Sequence, residues 1–234
     1  RSVIHHTNKQ GLTILEIENP PVNVLTIEVL QELRKEIHSV DGKSLLIKSR
    51  GKCFSAGTDI EEHLPGKVEE MMPLFTQTIL DILSLPMPTT AYIHGATLGG
   101  GFELTLGCDF LIANPDTTLC LPEISLNCFP PVGAALLPGR IGLRRALDLI
   151  LSGEEFDPPW AENIGLLNRI GTAEEAEEFA MRFTEFSTAA LVSGKKATVP
   201  NYESRLKNAE RIYLKELMTH PDPVEGIQRF RKRS

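Results

Sequence analysis

The sequence predicts an α/β fold built on parallel strands and continued by a helical region. Three observations carry this expectation. Short apolar, strand-like runs alternate with helical periodicities through Ala113; turns containing glycine follow the strands; and from Arg144 onward helical patterns replace strand patterns. Strands separated by helices imply parallel pairing with right-handed crossovers.

Each element has its own warrant. Leu12 to Ile17 reads as a strand, stopped by Pro20 and Pro21. Thr26 is a candidate N-cap for a helix through His38, whose apolar positions are Val29, Leu30, Leu33 and Ile37. Ser44 to Lys48 is a short apolar run after Asp41-Gly42, as expected of a strand buried on both faces. A turn at Gly51 leads into Phe54-Ser55-Ala56-Gly57. Helical periodicity then runs over residues 67–84 until Pro86 and Pro88 end it. Thr90 to Ile93 is a strand, and His94-Gly95-Ala96-Thr97-Leu98-Gly99-Gly100-Gly101 follows it and leads into a helix at Phe102 to Leu106. Phe110 to Ala113 and Leu119-Cys120-Leu121 are strands. Arg144 to Leu151, Pro158 to Gly165 and Ala173 to Ala190 read as helices. An amphipathic helix covers residues 203–218, with Leu206, Ala209, Ile212, Tyr213 and Leu217 on one side. A last short helix ends in Arg229-Phe230-Arg231-Lys232-Arg233. The change in pattern sets a boundary near residue 172.

Composition narrows the function classes. The 234 residues carry 24 Lys plus Arg against 31 Asp plus Glu, a net charge of −7, which argues against general phosphate-backbone binding and so against a nucleic-acid partner. Cys53, Cys108, Cys120 and Cys128 form no C-x-x-C pair, so free thiols in a reducing compartment are expected, with no metal site. Apolar stretches fall short of the roughly 18 residues that span a bilayer. Arg1 to Asn8 are polar, which predicts no signal peptide. The expected location is cytoplasmic or an organelle matrix, cytoplasmic being preferred.

Four chemistries compete for the remaining motifs. Asp41-Gly42-Lys43-Ser44 lacks the spacing and context of a phosphate loop, and the glycines at 95–101 do not spell a dinucleotide fingerprint. Ser125, Cys120 and Cys128 lack a nucleophile elbow or a nearby histidine. His63 and His94 read as structural or solvent-facing. Ala56-Gly57-Thr58 and Gly99-Gly100-Gly101 can each present free N–H groups, the second at a helix start where negative charge is favoured. Aimed at one carbonyl oxygen they would form an oxyanion hole; glycine content alone equally fits a close-packed turn. Glu103, in the first turn of that helix, and Glu123, at the end of the next strand, could face one cleft and divide proton transfer between them. Two ordinary surface glutamates is the plainer alternative, and it is the reading given to Glu61, Glu62, Glu175 and Glu178.

Three ordered segments tip this balance. Phe54-Ser55-Ala56-Gly57-Thr58-Asp59-Ile60, His94 through Leu104 and Leu121-Pro122-Glu123-Ile124 resemble the two oxyanion segments and the second acid/base segment of the crotonase (enoyl-CoA hydratase/isomerase) superfamily. Asn19-Pro20-Pro21-Val22-Asn23-Val24-Leu25 and Glu225 to Phe230 are also similar, so the resemblance covers nearly the whole chain. It implies a crotonase-like spiral of ββα units over residues 1–172 and a helical C-terminal oligomerisation region over 173–234, assembled as a homotrimer or a dimer of trimers. It implies an acyl-CoA thioester substrate, with coenzyme A carried by that substrate and no further cofactor. The thioester oxygen would be held by the N–H groups of Thr58 and Gly100, with Glu103 and Glu123 as catalytic acids and bases. Ala56, Asp59, Ile60 and Phe230 would contact substrate or CoA. Retaining both glutamates favours reversible addition of water over double-bond migration. The family's isomerase, hydrolase and decarboxylase chemistries, and a non-catalytic acyl-CoA-binding subunit, are the rivals. Leu121, Phe102 and the stretch Phe129-Pro130-Pro131-Val132-Gly133 depart from the usual pattern at positions expected near the acyl pocket. The Phe-Pro-Pro stretch and Tyr213 to Met218 are similar to hydratases of cyclic dienoyl-CoA esters.

Overall fold

A computed structural model describes residues 2–232. Arg1, Arg233 and Ser234 lie outside the described residues, and with them the last position of the predicted basic run.

In chain order the elements are β1 (Ile4–Lys9), β2 (Leu12–Ile17), α1 (Ile27–His38), β3 (Ser44–Ser49), α2 (Val68–Ser84), β4 (Thr89–Ile93), β5 (Ala96–Leu98), α3 (Gly100–Thr105), β6 (Phe110–Ala113), β7 (Thr118–Cys120), α4 (Pro131–Ile141), α5 (Leu143–Ser152), α6 (Pro158–Asn163), β8 (Arg169–Ile170), α7 (Ala173–Met181), α8 (Thr188–Thr198), α9 (Glu203–Lys215) and α10 (Asp222–Arg231). Six strands form one sheet in the order β1-β2-β3-β4-β6-β8; β5 and β7 pair separately. Only β1 with β2 is antiparallel. The other pairs are parallel, as alternating strands and helices require.

The sheet is covered on both faces, which explains the near-continuous apolar runs. Leu15, Ile17, Leu45, Ile47, Ala91 and Ile93 face the main core against α1 and α2. Ile14, Leu46, Tyr92 and Ile112 point the other way, into a smaller cluster with Phe179 and Phe183. That alternation is the two-residue period of a strand. At α1, the Thr26 hydroxyl accepts from Val29 N at 3.3 Å, and the four predicted apolar residues are buried.

The structure adds two elements and corrects two readings. Residues 4–9 are an edge strand; its side chains are mostly partly or fully exposed, so it carries no apolar pattern. Pro131 opens α4, where the fixed φ of proline suits a first helical turn. The helix expected over 173–190 is two: α7 passes into a 3-10 turn at Arg182–Glu185, and α8 restarts with Ser187 as its cap. Phe183 stacks on Phe110 at 5.2 Å, an attachment to the sheet that no local periodicity encodes. Glu62, read as a surface residue, is buried and accepts from Ile27 N at 2.9 Å, tying a 3-10 turn at Ile60–His63 to the start of α1. Burial pushes its carboxyl pKa up.

Candidate active site

Two loops, each leaving a strand layer, are laid side by side. Residue 55 bridges to Thr97 in parallel register, with Ser55 N bonding Ala96 O at 3.2 Å and Leu98 N bonding Ser55 O at 3.0 Å. On its other side this segment bridges to Leu25, with Leu25 N bonding Gly57 O at 2.9 Å and Asp59 N bonding Leu25 O at 3.2 Å. A parallel bridge uses the peptide groups flanking Thr58, so Thr58's own N–H turns away from Leu25, toward the second loop. There Gly100 starts α3, where no intrahelical acceptor exists for its N–H.

Three adjacent glycines fit three different constraints. Gly99 has φ +50, and a Cβ on it would stand 2.8 Å from Glu123 Oε1. A Cβ on Gly100 would stand 2.7 Å from Thr58 Cγ2 and 3.2 Å from Thr58 N. On Gly101 it would meet Ser55 Cβ at 2.6 Å. The loops therefore meet backbone to backbone, with the Thr58 and Gly100 amides beside one small space.

A buried polar lattice locks the first loop. Asn23, itself at φ +51, donates from Nδ2 to Arg50 O at 2.8 Å and Cys53 O at 2.9 Å, and its Oδ1 accepts from Asn19 N at 2.8 Å. Ser55 Oγ donates to Asn23 O at 2.7 Å and accepts from Gly57 N at 3.1 Å. His63, read as structural or solvent-facing, is structural and part of this support. Its Nδ1 lies 2.8 Å from Asp59 O, so that nitrogen carries the proton, leaving Nε2 to accept from Thr58 Oγ1 at 3.3 Å. Burial holds the His63 pKa down and the ring neutral.

The loops open into a cavity of about 260 Å³. Ala56, Thr58, Ile60, Gly100, Glu103, Glu123 and Phe230 all line it. Asp59 does not: its carboxylate accepts from Glu61 N at 2.8 Å and caps the 3-10 turn. Phe102 and Leu121, expected near the pocket, are wholly buried in the core instead, Phe102 edge-on to Phe156 at 5.7 Å. Phe129 and Pro131 do reach the cavity wall. Met71, Met72 and Phe75 from α2, Tyr213 from α9 and Ile227 from α10 complete an apolar side.

The two glutamates share this cavity but are held differently. Glu103 Oε1 accepts from Gly133 N at 2.8 Å, in the first turn of α4. Burial raises its pKa to about 7, against the opposing pull of the Gly133 and Val132 amides. Glu123 is carried on the 3-10 turn Pro122–Leu126, and its Oε2 is buried with no hydrogen-bond partner among the described residues. Burial first, and then the Glu103 charge, push its pKa well up. The helix α10 covers this turn closely: a Cβ on Gly226 would fall 2.1 Å from Leu126 O, and Asn127 Nδ2 donates to Asp222 O at 2.9 Å.

Comparison with known proteins identifies what the whole chain is similar to. Residues 7–234 match the family model described as Enoyl-CoA hydratase/isomerase. A probable enoyl-CoA hydratase of Bacillus subtilis (strain 168) is 37% identical over 240 residues, covering 94% of this chain and 92% of that protein. A cyclohexa-1,5-dienecarbonyl-CoA hydratase of Thauera aromatica is 30% identical over 233 residues, covering 94% and 90%. Among solved structures, an enoyl-CoA hydratase from Bacillus halodurans superposes with a TM-score of 0.89 at 23% identity, covering 97% of this chain and all of that one, which speaks to the fold.

Proposed function

Because the chain belongs to the enoyl-CoA hydratase/isomerase family and is an enzyme of the hydratase type, we propose that it adds water reversibly to the conjugated double bond of an enoyl-CoA, using Glu103 and Glu123. One observation carries the reading: two buried carboxyl groups share a cavity with the closely apposed backbone of Thr58 and Gly100. The amides of Thr58 and Gly100 bind the thioester oxygen and stabilise the charge that develops there; one such donor is worth about 2.7–4 kcal/mol in the transition state. The amides of Gly133 and Val132 favour charge on Glu103, while burial and then the Glu103 charge push the Glu123 pKa up, so we assign the proton of the pair to Glu123. Glu103 takes a proton from water as the water oxygen bonds to the β-carbon. The π electrons move toward the thioester oxygen, forming an enolate. Collapse of the enolate takes the Glu123 proton onto the α-carbon, and a proton passing between the carboxyls resets the pair. No cofactor enters beyond the CoA of the substrate, with Ile60 and Ala56 lining the approach and Phe230 at its mouth.

The test is turnover of a panel of enoyl-CoA thioesters, with Glu103→Gln and Glu123→Gln beside the wild type. Each variant is expected to lose on the order of 10²- to 10⁴-fold in rate. The product should gain the mass of one water and keep CoA attached, which separates hydration from isomerisation and thioester hydrolysis. Full rates in both variants would remove the glutamates from the mechanism. A second reading, a cyclic dienoyl-CoA substrate, is supported by the ring-bearing wall of Phe129, Pro131 and Tyr213 and by the name of the Thauera relative. Cyclic and straight-chain thioesters belong in the same panel.

For assembly we propose a homotrimer or a dimer of trimers. Support comes from α5 rather than from the long C-terminal helix. The apolar face of α9, with Leu206, Ala209 and Tyr213, is already buried within this chain. Leu143, Leu147 and Leu151 line one side of α5 and stand 61%, 45% and 61% exposed, an unpartnered stripe at four-residue spacing. Light scattering that finds monomers at micromolar concentration would count against it. Among the described residues no helix is long and apolar enough to cross a membrane; a cytoplasmic location remains our proposal.

A further inference from the structure

Tyr213, beside Cys128, is a polar group on the apolar side of the cavity that the hydration chemistry leaves unused. Its side chain is 1% exposed. The ring is fixed by α9 and by contacts with Phe129 at 5.5 Å and His63 at 6.4 Å between centroids. The hydroxyl is buried without a hydrogen-bond partner among the described residues. The Cys128 thiol lies alongside and is the group to which the hydroxyl couples most strongly, but sulfur is only a weak acceptor and the geometry is not that of a formed hydrogen bond. Both nitrogens of His63 are taken by Asp59 O and Thr58 Oγ1. Met71, Met72, Phe75 and Ile227 offer at best the weak acceptor of a thioether. A buried hydroxyl without a partner is costly, and phenylalanine would fill the same space without that cost. Burial and the neighbouring carboxyl groups keep the phenol protonated, so it is a standing donor.

We propose that the acyl group bound here carries a neutral oxygen of its own, hydroxyl or keto, separate from the thioester carbonyl, and that the Tyr213 hydroxyl donates to it. The inference rests on the acyl-CoA reading above and narrows it from any enoyl thioester to oxygenated ones. A carboxylate is disfavoured as that oxygen, because the glutamate pair already places negative charge beside the phenol. A saturated chain of the same length would leave the hydroxyl stranded.

Binding tests this without requiring turnover. Hexanoyl-CoA is compared by titration calorimetry with analogues bearing one hydroxyl on the third, fourth, fifth or sixth carbon or one keto oxygen on the third, fourth or fifth, on the wild type and on Tyr213→Phe. For at least one analogue oxygenated at the fourth to sixth carbon, the variant should bind roughly tenfold more weakly or worse. Hexanoyl-CoA should bind both proteins equally, which also shows that the variant is folded. Unchanged affinity for every analogue overturns the proposal, as does an equal loss for hexanoyl-CoA. A loss confined to the third-carbon hydroxyl also overturns it, because Tyr213 would then serve the water being added. If the wild type binds neither hexanoyl-CoA nor any analogue, the acyl-CoA reading fails together with this one.

Discussion

The strand-and-loop layer and the helical cover meet at one cavity but build it by opposite means. The layer contributes backbone: two amides, three glycines at van der Waals limits and a lattice of buried hydrogen bonds centred on Asn23. The cover contributes side chains: Tyr213 from α9 and Ile227 and Phe230 from α10. Backbone groups cannot be exchanged by mutation, and they suit a task that every substrate shares, holding a thioester oxygen. Side chains can be exchanged one at a time, and they suit what varies, the acyl group. The two regions should therefore respond differently to substitution.

The largest effect is expected where a side chain is forced into the backbone layer. Gly100→Ala places a methyl 3.2 Å from Thr58 N, in the space proposed for the thioester oxygen. It should lower kcat on the order of 10²- to 10³-fold with a lesser effect on KM, read from steady-state kinetics. A variant with normal kcat would break the comparison. Asn23→Ala strands the Asn19 amide and removes the side-chain donor from the Arg50 and Cys53 carbonyls, the second keeping only Ser49 Oγ, and should destabilise the fold by roughly 2–4 kcal/mol in urea unfolding.

The glutamates lie at the seam between the regions, and pH sharpens their part. The ordinary carboxyl value for Glu103 is 4.5, and in the fold it is about 7. Between these values the native state holds a proton that the unfolded chain has released, so stability should fall as pH rises through this window. Glu123 shifts in the same direction and adds to the decline. Replacing both with Gln should flatten the dependence of the urea midpoint on pH. The smallest effect belongs to the rim. Phe230 is 45% exposed, and Phe230→Ala should raise KM a few-fold at unchanged kcat, roughly the contact energy of a half-buried ring.

Legibility in the sequence followed the range of the interactions. α1 could be read to its cap because Thr26, Val29, Leu30, Leu33 and Ile37 are governed by contacts within a few turns. The segments at 54–60, 94–104 and 121–124 stood out because backbone approaches tolerate few residue types. Glu62 was misjudged because nothing in Ile60-Glu61-Glu62-His63 marks which side chain turns inward; Ile27 N, thirty-five residues away, decides it. The break between α7 and α8 depends on Phe110, far off in the sheet.

By itself the sequence determined the alternation of strand and helix, the glycine positions and the presence of two glutamates in the right segments. These follow from local sterics and from hydrophobic period. Only tertiary structure decided that both carboxyl groups lose their water together, that Asp59 caps a turn instead of lining the cavity, and that Tyr213 arrives with an unmet hydroxyl. The reason is physical: burial and hydrogen-bond satisfaction are properties of a whole packed neighbourhood, and most of that neighbourhood comes from distant parts of the chain.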